Sequence, residues 1–334
     1  MTRPPRRPPC SSRTKRSTVT ETAVKLSSRG GSGPRGKAGR PVRSKPVGRR
    51  SAVAYLFLAP FLILFSIFVL GPAIYGLWIS LHIWNPLLDD HPFVGLQNYI
   101  DLFTPGSLTS GDFWKSMGAT GIFTVASVPL LLLIPLGIAM LLNNKVRGGS
   151  VFRGIFFAPY VLGVAVISVL WRYLLDPQLG VVNALIGQDI PWTVQVPWAW
   201  VSLVGITVWW TLGLNTVILL AGLKGISADL YEAASLDGAN AWRQFTNVTL
   251  PGLRPVMTFV VTVTLLASAN MFGQSFLITQ GGPGTETRTA IMYIANQGLV
   301  QNQMGAATAM SYVLFAILAA VSVLNFRLQR DNTK

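Results

Sequence analysis

The chain has 334 residues, of which 51% are apolar and only 12% charged, and its mean hydropathy is +0.48. Soluble domains carry about twice that charge fraction, so a water-soluble globular fold is excluded and an all-α integral membrane protein is expected. The formal net charge of +15 points toward nucleic acid only until it is located: residues 1–50 hold 15 Lys/Arg against Glu21 alone, whereas the remaining 12 Lys/Arg and 11 Asp/Glu nearly cancel.

The first 50 residues are rich in Pro, Gly and Ser and poor in large apolar side chains. Such a segment cannot bury enough surface to fold alone, so 1–50 is predicted to be a disordered basic tail. Anionic lipid headgroups suit it as a partner. Nucleic acid does not, because no aromatic ring interleaves the charges as a stacking platform. Cys10 stands alone and has no intrachain disulfide partner. Gly31–Ala38 nearly fits the phosphate-loop pattern, but Ala38 lacks the hydroxyl a magnesium ion requires, and the stretch is read as chance.

From residue 51 to 330 the chain is predicted to form one six-helix transmembrane domain. Apolar runs long enough to cross the hydrocarbon core, about 20 residues each, lie near Ala52–Leu81, Met117–Leu142, Phe152–Leu174, Trp198–Leu223, Val256–Ile278 and Ala306–Leu324. The connecting charges orient them by the positive-inside rule. Lys145, Arg147, Arg153, Lys224, Arg243, Arg254, Arg327, Arg330 and Lys334 fall on the side of the basic tail. The opposite loops carry Asp89, Asp90, Asp101 and Asp112 against Lys115, then Asp176 and Asp189, then Glu286 balanced by Arg288. Both termini are therefore expected in the cytoplasm of a multi-pass cell-membrane protein. Trp78, Trp84, Trp171, Trp192 and Trp198 fall at outer ends, where amphipathic rings favour the interface. His82 and His91 share an outer loop with Asp89 and Asp90, and a solvated loop is favoured there over a metal site.

Residues 224–255 are an amphipathic island between two spans, far longer than a turn needs to be. Leu230, Ala233, Ala234 and Leu236 can share a helical face, opposite Asp229, Glu232 and Asp237. Gly238 follows where a helix can end without a Cβ clash. A second segment, Ala241–Val248, offers Trp242, Phe245 and Val248, and Pro251 and Pro255 are expected to stop it. The prediction is a helix–turn–helix lying under the membrane.

The order Glu232-Ala233-Ala234, Asp237-Gly238-Ala239, Thr249-Leu250-Pro251 resembles the coupling loop of binding-protein-dependent ATP-binding-cassette importer permeases. Leu58-Ala59-Pro60, Phe93–Tyr99 and Leu102-Phe103 resemble the beginning of the carbohydrate-type members. Gly281-Gly282-Pro283-Gly284 and Met304–Ala307 resemble their ending. The resemblance implies a maltose-type, type I importer fold and a set of partners: a second permease subunit, two ATPase subunits that bind ATP and magnesium, and an extracytoplasmic sugar-binding protein. It implies no cofactor in this chain and no enzymatic activity of its own. Carried over residue by residue, Glu232 anchors to the ATPase by charge, Ala233 and Ala234 allow close fit, and Asp237-Gly238-Ala239 makes the turn. Leu250 and Pro251 set how motion enters the fifth span.

The spans are nearly free of ionisable groups; Arg172 is the main exception. An intramembrane carboxylate would mark a proton or cation relay, so a neutral cargo is favoured over an ion-coupled secondary carrier or channel. A membrane-embedded enzyme would gather catalytic groups at one depth, and none are gathered. Thr264, Ser268 and Met271 share a face of the fifth span, flanked by Asn270 and Gln274; Trp210, Asn215 and Tyr160 are further candidates for the solute path. Hydroxyls and amides beside rings suit a sugar, and the same small polar residues equally suit ordinary helix–helix contacts.

Overall fold

The structure is a computed structural model describing residues 52–143 and 149–331. The basic tail with Cys10 and Gly31–Ala38, and the positions Lys145, Arg147 and Lys334, lie outside the described residues. The chain divides after Phe57, and the second unit, from Leu58 onward, contains every feature discussed below except the start of the first helix.

The architecture is helical throughout. Helix α1 (Ala52–Phe65) passes through a π turn at Ser66–Leu70 into α2 (Gly71–Ser80), and together they supply an apolar span, Phe57–Ser80. A short α3 (Gln97–Phe103) precedes α4 (Leu108–Asn143), whose 36 residues rise about 54 Å. Helices α5 (Gly149–Val161) and α6 (Val164–Leu174) follow, then α7 (Val181–Ile186) and the long α8 (Trp198–Lys224). Beyond them come α9 (Ala228–Leu236), α10 (Ala241–Gln244), α11 (Leu250–Ala269), α12 (Ala290–Ala295) and α13 (Met304–Asp331). Among the described residues five helices are long and apolar enough to cross a membrane, and α5 with α6 makes a sixth if that bent pair is one span.

Helix α8 is the axis of the bundle. It is the most buried span and packs on α4, α5 and α11. Two glycines permit this. A Cβ at Gly213 would run into the backbone of α5 at Phe156 and Phe157, and one at Gly222 would meet Val256 and Leu253 of α11. Close approach of backbones is how helices associate where lipid gives no hydrophobic drive.

Three expected boundaries differ. The predicted third span, Phe152–Leu174, is bent by 96° between α5 and α6. Pro159 lies in the last turn of α5, and Gly163 then adopts an extended backbone, ψ 152°. The Leu162 carbonyl released there accepts a hydrogen bond from Trp210 Nε1 at 3.0 Å. The predicted fifth span, Val256–Ile278, ends at Ala269, with Asn270 as its C-cap and a separate π turn at Ser275–Thr279. Pro251 and Pro255 do not stop the preceding segment: Ala241–Ala269 is one continuous helix. A π turn at Phe245–Thr249, closed by Leu250 N–H donating to the Phe245 carbonyl, absorbs Pro251 at the start of α11. A π bulge spaces the backbone more widely, which accommodates a residue that lacks an N–H.

Inside α4, Pro135 likewise cannot donate to the carbonyl four residues back, that of Leu131. Asn215 on α8 donates from Nδ2 to this oxygen at 3.0 Å, and both residues are buried. Replacing Asn215 by Leu strands a buried carbonyl, and we expect a loss of about 1–2 kcal/mol in reversible unfolding in detergent or bicelles. Adding Pro135→Ala restores an in-helix donor and recovers most of that loss; a double-mutant cycle with no coupling would refute the assignment.

Candidate functional site

The island between α8 and α11 folds into a small, hydrogen-bonded platform. Ser227 caps α9, its Oγ accepting from Asp229 N–H at 3.3 Å, and Asp229 sits at the positive end of the helix dipole. At the other end Gly238 takes a left-handed backbone, φ +75°. Gly238 N–H donates to the Ser235 carbonyl and Ala239 N–H to the Ala234 carbonyl at 2.9 Å, which together make a Schellman stop. Asn240 Oδ1 then accepts from Arg243 N–H at 2.9 Å and starts α10.

Side chains lock α9 to the helix that becomes α11. Tyr231 Oη lies 3.0 Å from Thr249 Oγ1, which donates in turn to the Gln244 carbonyl. Gln244 Nε2 donates to Ser235 Oγ at 3.0 Å and to the Ala239 carbonyl at 3.1 Å. Ile226 lies so close over Gly252 that any larger residue there would displace it. Residues 226–252 are therefore held as one piece, and that piece continues without interruption to Ala269.

The outward surface of the platform is unusual for its chemistry. Leu236 is 90% exposed, Trp242 70% and Leu230 54%, while Glu232 and Ala233 are also exposed. Ala234, Ala239 and Leu250 are half-buried, and Asp237, Gly238 and Pro251 are exposed. Glu232 forms no ion pair among the described residues. Of the apolar side chains predicted to share a face of α9, Leu230, Ala233 and Leu236 are thus uncovered among the described residues and only Ala234 is half-buried, and Glu232 on the same short helix has no ion-pair partner there. Sequence reasoning missed the tie through Tyr231, Gln244 and Thr249, since a bond between residues 18 apart leaves no periodic trace. The cap residues Ser227 and Asn240 were recognisable as polar positions directly before helical segments.

The residues expected along a solute path are dispersed. Thr264 is buried and donates to the Val260 carbonyl of its own helix. Ser268 accepts from Ser127 Oγ of α4 at 3.1 Å. Met271 and Gln274 are buried, Met271 within a core that includes Phe123, Ile167 and Leu203. Asn215 is engaged with Leu131, and Trp210, with Tyr160 at 6.2 Å between ring centres, holds the α5–α6 bend. Asn270 lines a groove of about 510 Å³ with Leu266, Ile294, Ser311, Phe315 and Ser322, and the other seven lie outside that groove. In the loop after α2, His91 stacks on Trp84 at 3.7 Å and His82 Nδ1 lies 2.8 Å from the Trp78 carbonyl oxygen.

Known proteins resemble this chain in sequence, and a solved structure resembles it in fold. The chain is 32% identical over 295 residues to the probable transporter permease YesP of Bacillus subtilis, covering 85% of this chain and 93% of that protein. It is 30% identical over 291 residues to the trehalose/maltose transport system permease protein MalF of Thermococcus litoralis, covering 86% and 97%. The lactose transport system permease protein LacF of Rhizobium radiobacter is 31% identical over 287 residues, with 83% and 94% covered. Among solved structures, a bacterial transporter involved in import of the acidic polysaccharide alginate superposes with a TM-score of 0.72 at 23% identity, over 85% of this chain and 97% of that one. Residues 108–332 match the family described as the inner membrane component of binding-protein-dependent transport systems. The span that matches contains the whole platform and five of the six long apolar segments, and the chain belongs to that family of importer permeases.

Proposed function

We propose that this chain is one permease subunit of an ATP-driven sugar importer, forming half of the translocation path and receiving its drive through the Glu232 platform. The observation that carries the reading is mechanical: α9 is tied by side-chain bonds to a single helix that runs to Ala269, yet its own Leu230, Glu232 and Leu236 are uncovered. A helix fixed behind and bare in front is suited to be pushed by a partner. Hydrophobic contact at Leu230 and Leu236 gives affinity, and Glu232 selects a basic residue on the docking subunit. The small Ala233 and Ala234 permit close approach.

The partners that fit are a second permease subunit, two ATPase subunits that bind ATP and magnesium, and an extracytoplasmic sugar-binding protein. A permease that presents such a platform would receive its energy from a docked ATPase. Trehalose/maltose and lactose permeases among the relatives support a sugar as cargo. So does the scarcity of ionisable groups in the spans, which disfavours an ion-coupled secondary carrier or channel. The charge distribution supports both termini being cytoplasmic and the platform facing the ATPase. Asn270, at the mouth of the groove and at the end of α11, is the first residue we assign to the solute path, with Thr264, Ser268, Met271, Gln274, Trp210, Asn215 and Tyr160 shaping the helices around it.

Glu232→Lys reverses the exposed charge, and Gly238→Val forces a β-branched residue to φ +75°, at a cost of about 1–3 kcal/mol that opens the turn. Tagged at the C-terminus and solubilised gently, the wild-type chain should co-purify with a second six-span permease and an ATPase. The double variant should insert in the membrane, lose the ATPase, and abolish sugar uptake by the reconstituted complex. Recovery of the chain alone, with uptake driven by an ion gradient, would overturn the proposal in favour of a carrier. Deleting residues 1–45 should leave uptake intact if the tail only tethers the chain to anionic lipid; loss of assembly on deletion would refute the tether.

A further inference from the structure

The end of the α11–α12 unit opposite the platform is fastened to α4 by charge. Four residues on one face of the first turns of α4, Asp112, Lys115, Ser116 and Thr120, receive the segment 286–290 that leads into α12. Arg288 Nη2 lies 2.9 Å from Asp112 Oδ1, at an angle outside hydrogen-bond geometry, so the pair is held by charge. Arg288 Nε donates to Ser116 Oγ at 3.2 Å, and its guanidinium lies 4.7 Å over the ring of Tyr293. The Arg288 side chain is only 18% exposed, although its partner Asp112 is 51% exposed, whereas the neighbouring pair, Lys115–Glu286 at 2.9 Å, is half-exposed on both sides. Two residues beyond Arg288, Ala290 N–H donates to Thr120 Oγ1 at 2.9 Å, and both are buried.

The segment so held is stiff. Thr279 and Thr287 hydroxyls lie 2.7 Å apart, Thr287 Oγ1 donates to the Gly282 carbonyl, and Ser275 Oγ donates to the Thr287 carbonyl. Thr289 Oγ1 donates at 2.7 Å to the carbonyl of Met271, directly after the end of α11. Movement of α11 therefore reaches residues 286–290 through few soft joints. Helix α4 also meets α11 lower down, at Ser127–Ser268, and again where Leu136 and Ala139 pack with Leu253 and Val260. Attachment of α4 at three depths, twice to α11 and once to the segment leading into α12, makes a lever, and only the last of these is electrostatic.

We propose that α4 and the α11–α12 unit move as one body during transport, and that Arg288, paired with Asp112, is the positioning residue that keeps their outer ends together. The pair converts displacement at α9 into displacement of α4, and through it of the surface on the far side of the membrane. The proposal rests on the coupling function assigned above to the Glu232 platform. An exposed pair such as Lys115–Glu286 contributes little and is screened by salt. The shielded Arg288 is the one whose loss leaves a carboxylate and a ring without their cation.

Two experiments on the complete complex test this, with Cys10→Ser as background. In Arg288→Ala, uptake per ATP hydrolysed should fall about tenfold, as for residues that carry coupling between distant sites, while co-purification of partners is unchanged. Lys115→Ala should have little effect. The exchange Asp112→Arg with Arg288→Asp should recover most of the loss, which a purely packing role for Arg288 would not. In the second experiment Thr120→Cys and Ala290→Cys are linked by an oxidant or a short bis-methanethiosulfonate. If α4 and α12 stay seated, the linked complex transports at a rate close to that of its reduced form. Failure of the pair to link, or uptake abolished on linking and restored by reduction, would overturn the proposal. Uptake absent in the reduced form as well as in the wild type would instead count against the importer function itself.

Discussion

Backbone oxygens freed inside an apolar bundle must find donors within the chain, and this requirement shapes the structure more than any other. An unpaired carbonyl in hydrocarbon costs several kcal/mol, so every proline or bend in a span creates a local demand. Asn215 meets the demand made by Pro135, Trp210 meets the one at Leu162, and Thr289 meets the one at Met271. Asn98 Nδ2 reaches both the Ser80 and His82 carbonyls as α2 ends, and Ser202 Oγ reaches Trp192. Because each donor sits on a different helix or loop from its acceptor, the repairs also serve as cross-links. The breaks and the tertiary contacts are two aspects of one solution.

That solution explains why polar residues in the spans are poor guides to a solute path when read from sequence. Hydropathy marks an Asn or Trp in a span as anomalous, and chemistry suggests a ligand. In three dimensions Asn215 and Trp210 face the backbone of neighbouring helices. The demand that recruits them arises at positions 131 and 162, on other spans, and no periodicity within α8 reveals it. Asn270 differs because its helix stops there, which leaves its side chain beside a groove instead of inside a contact.

The fold class, the number of long apolar segments and the limits of the platform were legible because each depends on local properties: length, hydropathy, cap residues and a left-handed glycine. The bend at Gly163 and the end of α11 were not, because a hydropathy window averages across a break as readily as along a helix. Pro251 was misread for a related reason. Proline predicts a missing hydrogen bond, but whether the chain responds by stopping or by widening into a π turn depends on what packs against it. Here Ile226 lies over Gly252 and Thr249 is buried against Tyr231, so the helix is held on course.

Continuity through Pro251 has a mechanical consequence. A helix that ended at residue 250 would leave a flexible joint between the platform and the span, and a push on α9 would be dissipated there. A π turn is a wider coil but still a hydrogen-bonded one, closed at Leu250 by the Phe245 carbonyl. The break in the helix lies instead at Asn270, beside the Met271 carbonyl that Thr289 holds, and under the coupling proposed above this is where the Arg288 seat would receive the motion. The chain thus places its stiffest segment between the surface that is bare and the break that lines the groove. A structure that merely crossed the bilayer would gain nothing from that order, whereas one that passes displacement from one face to the other depends on it.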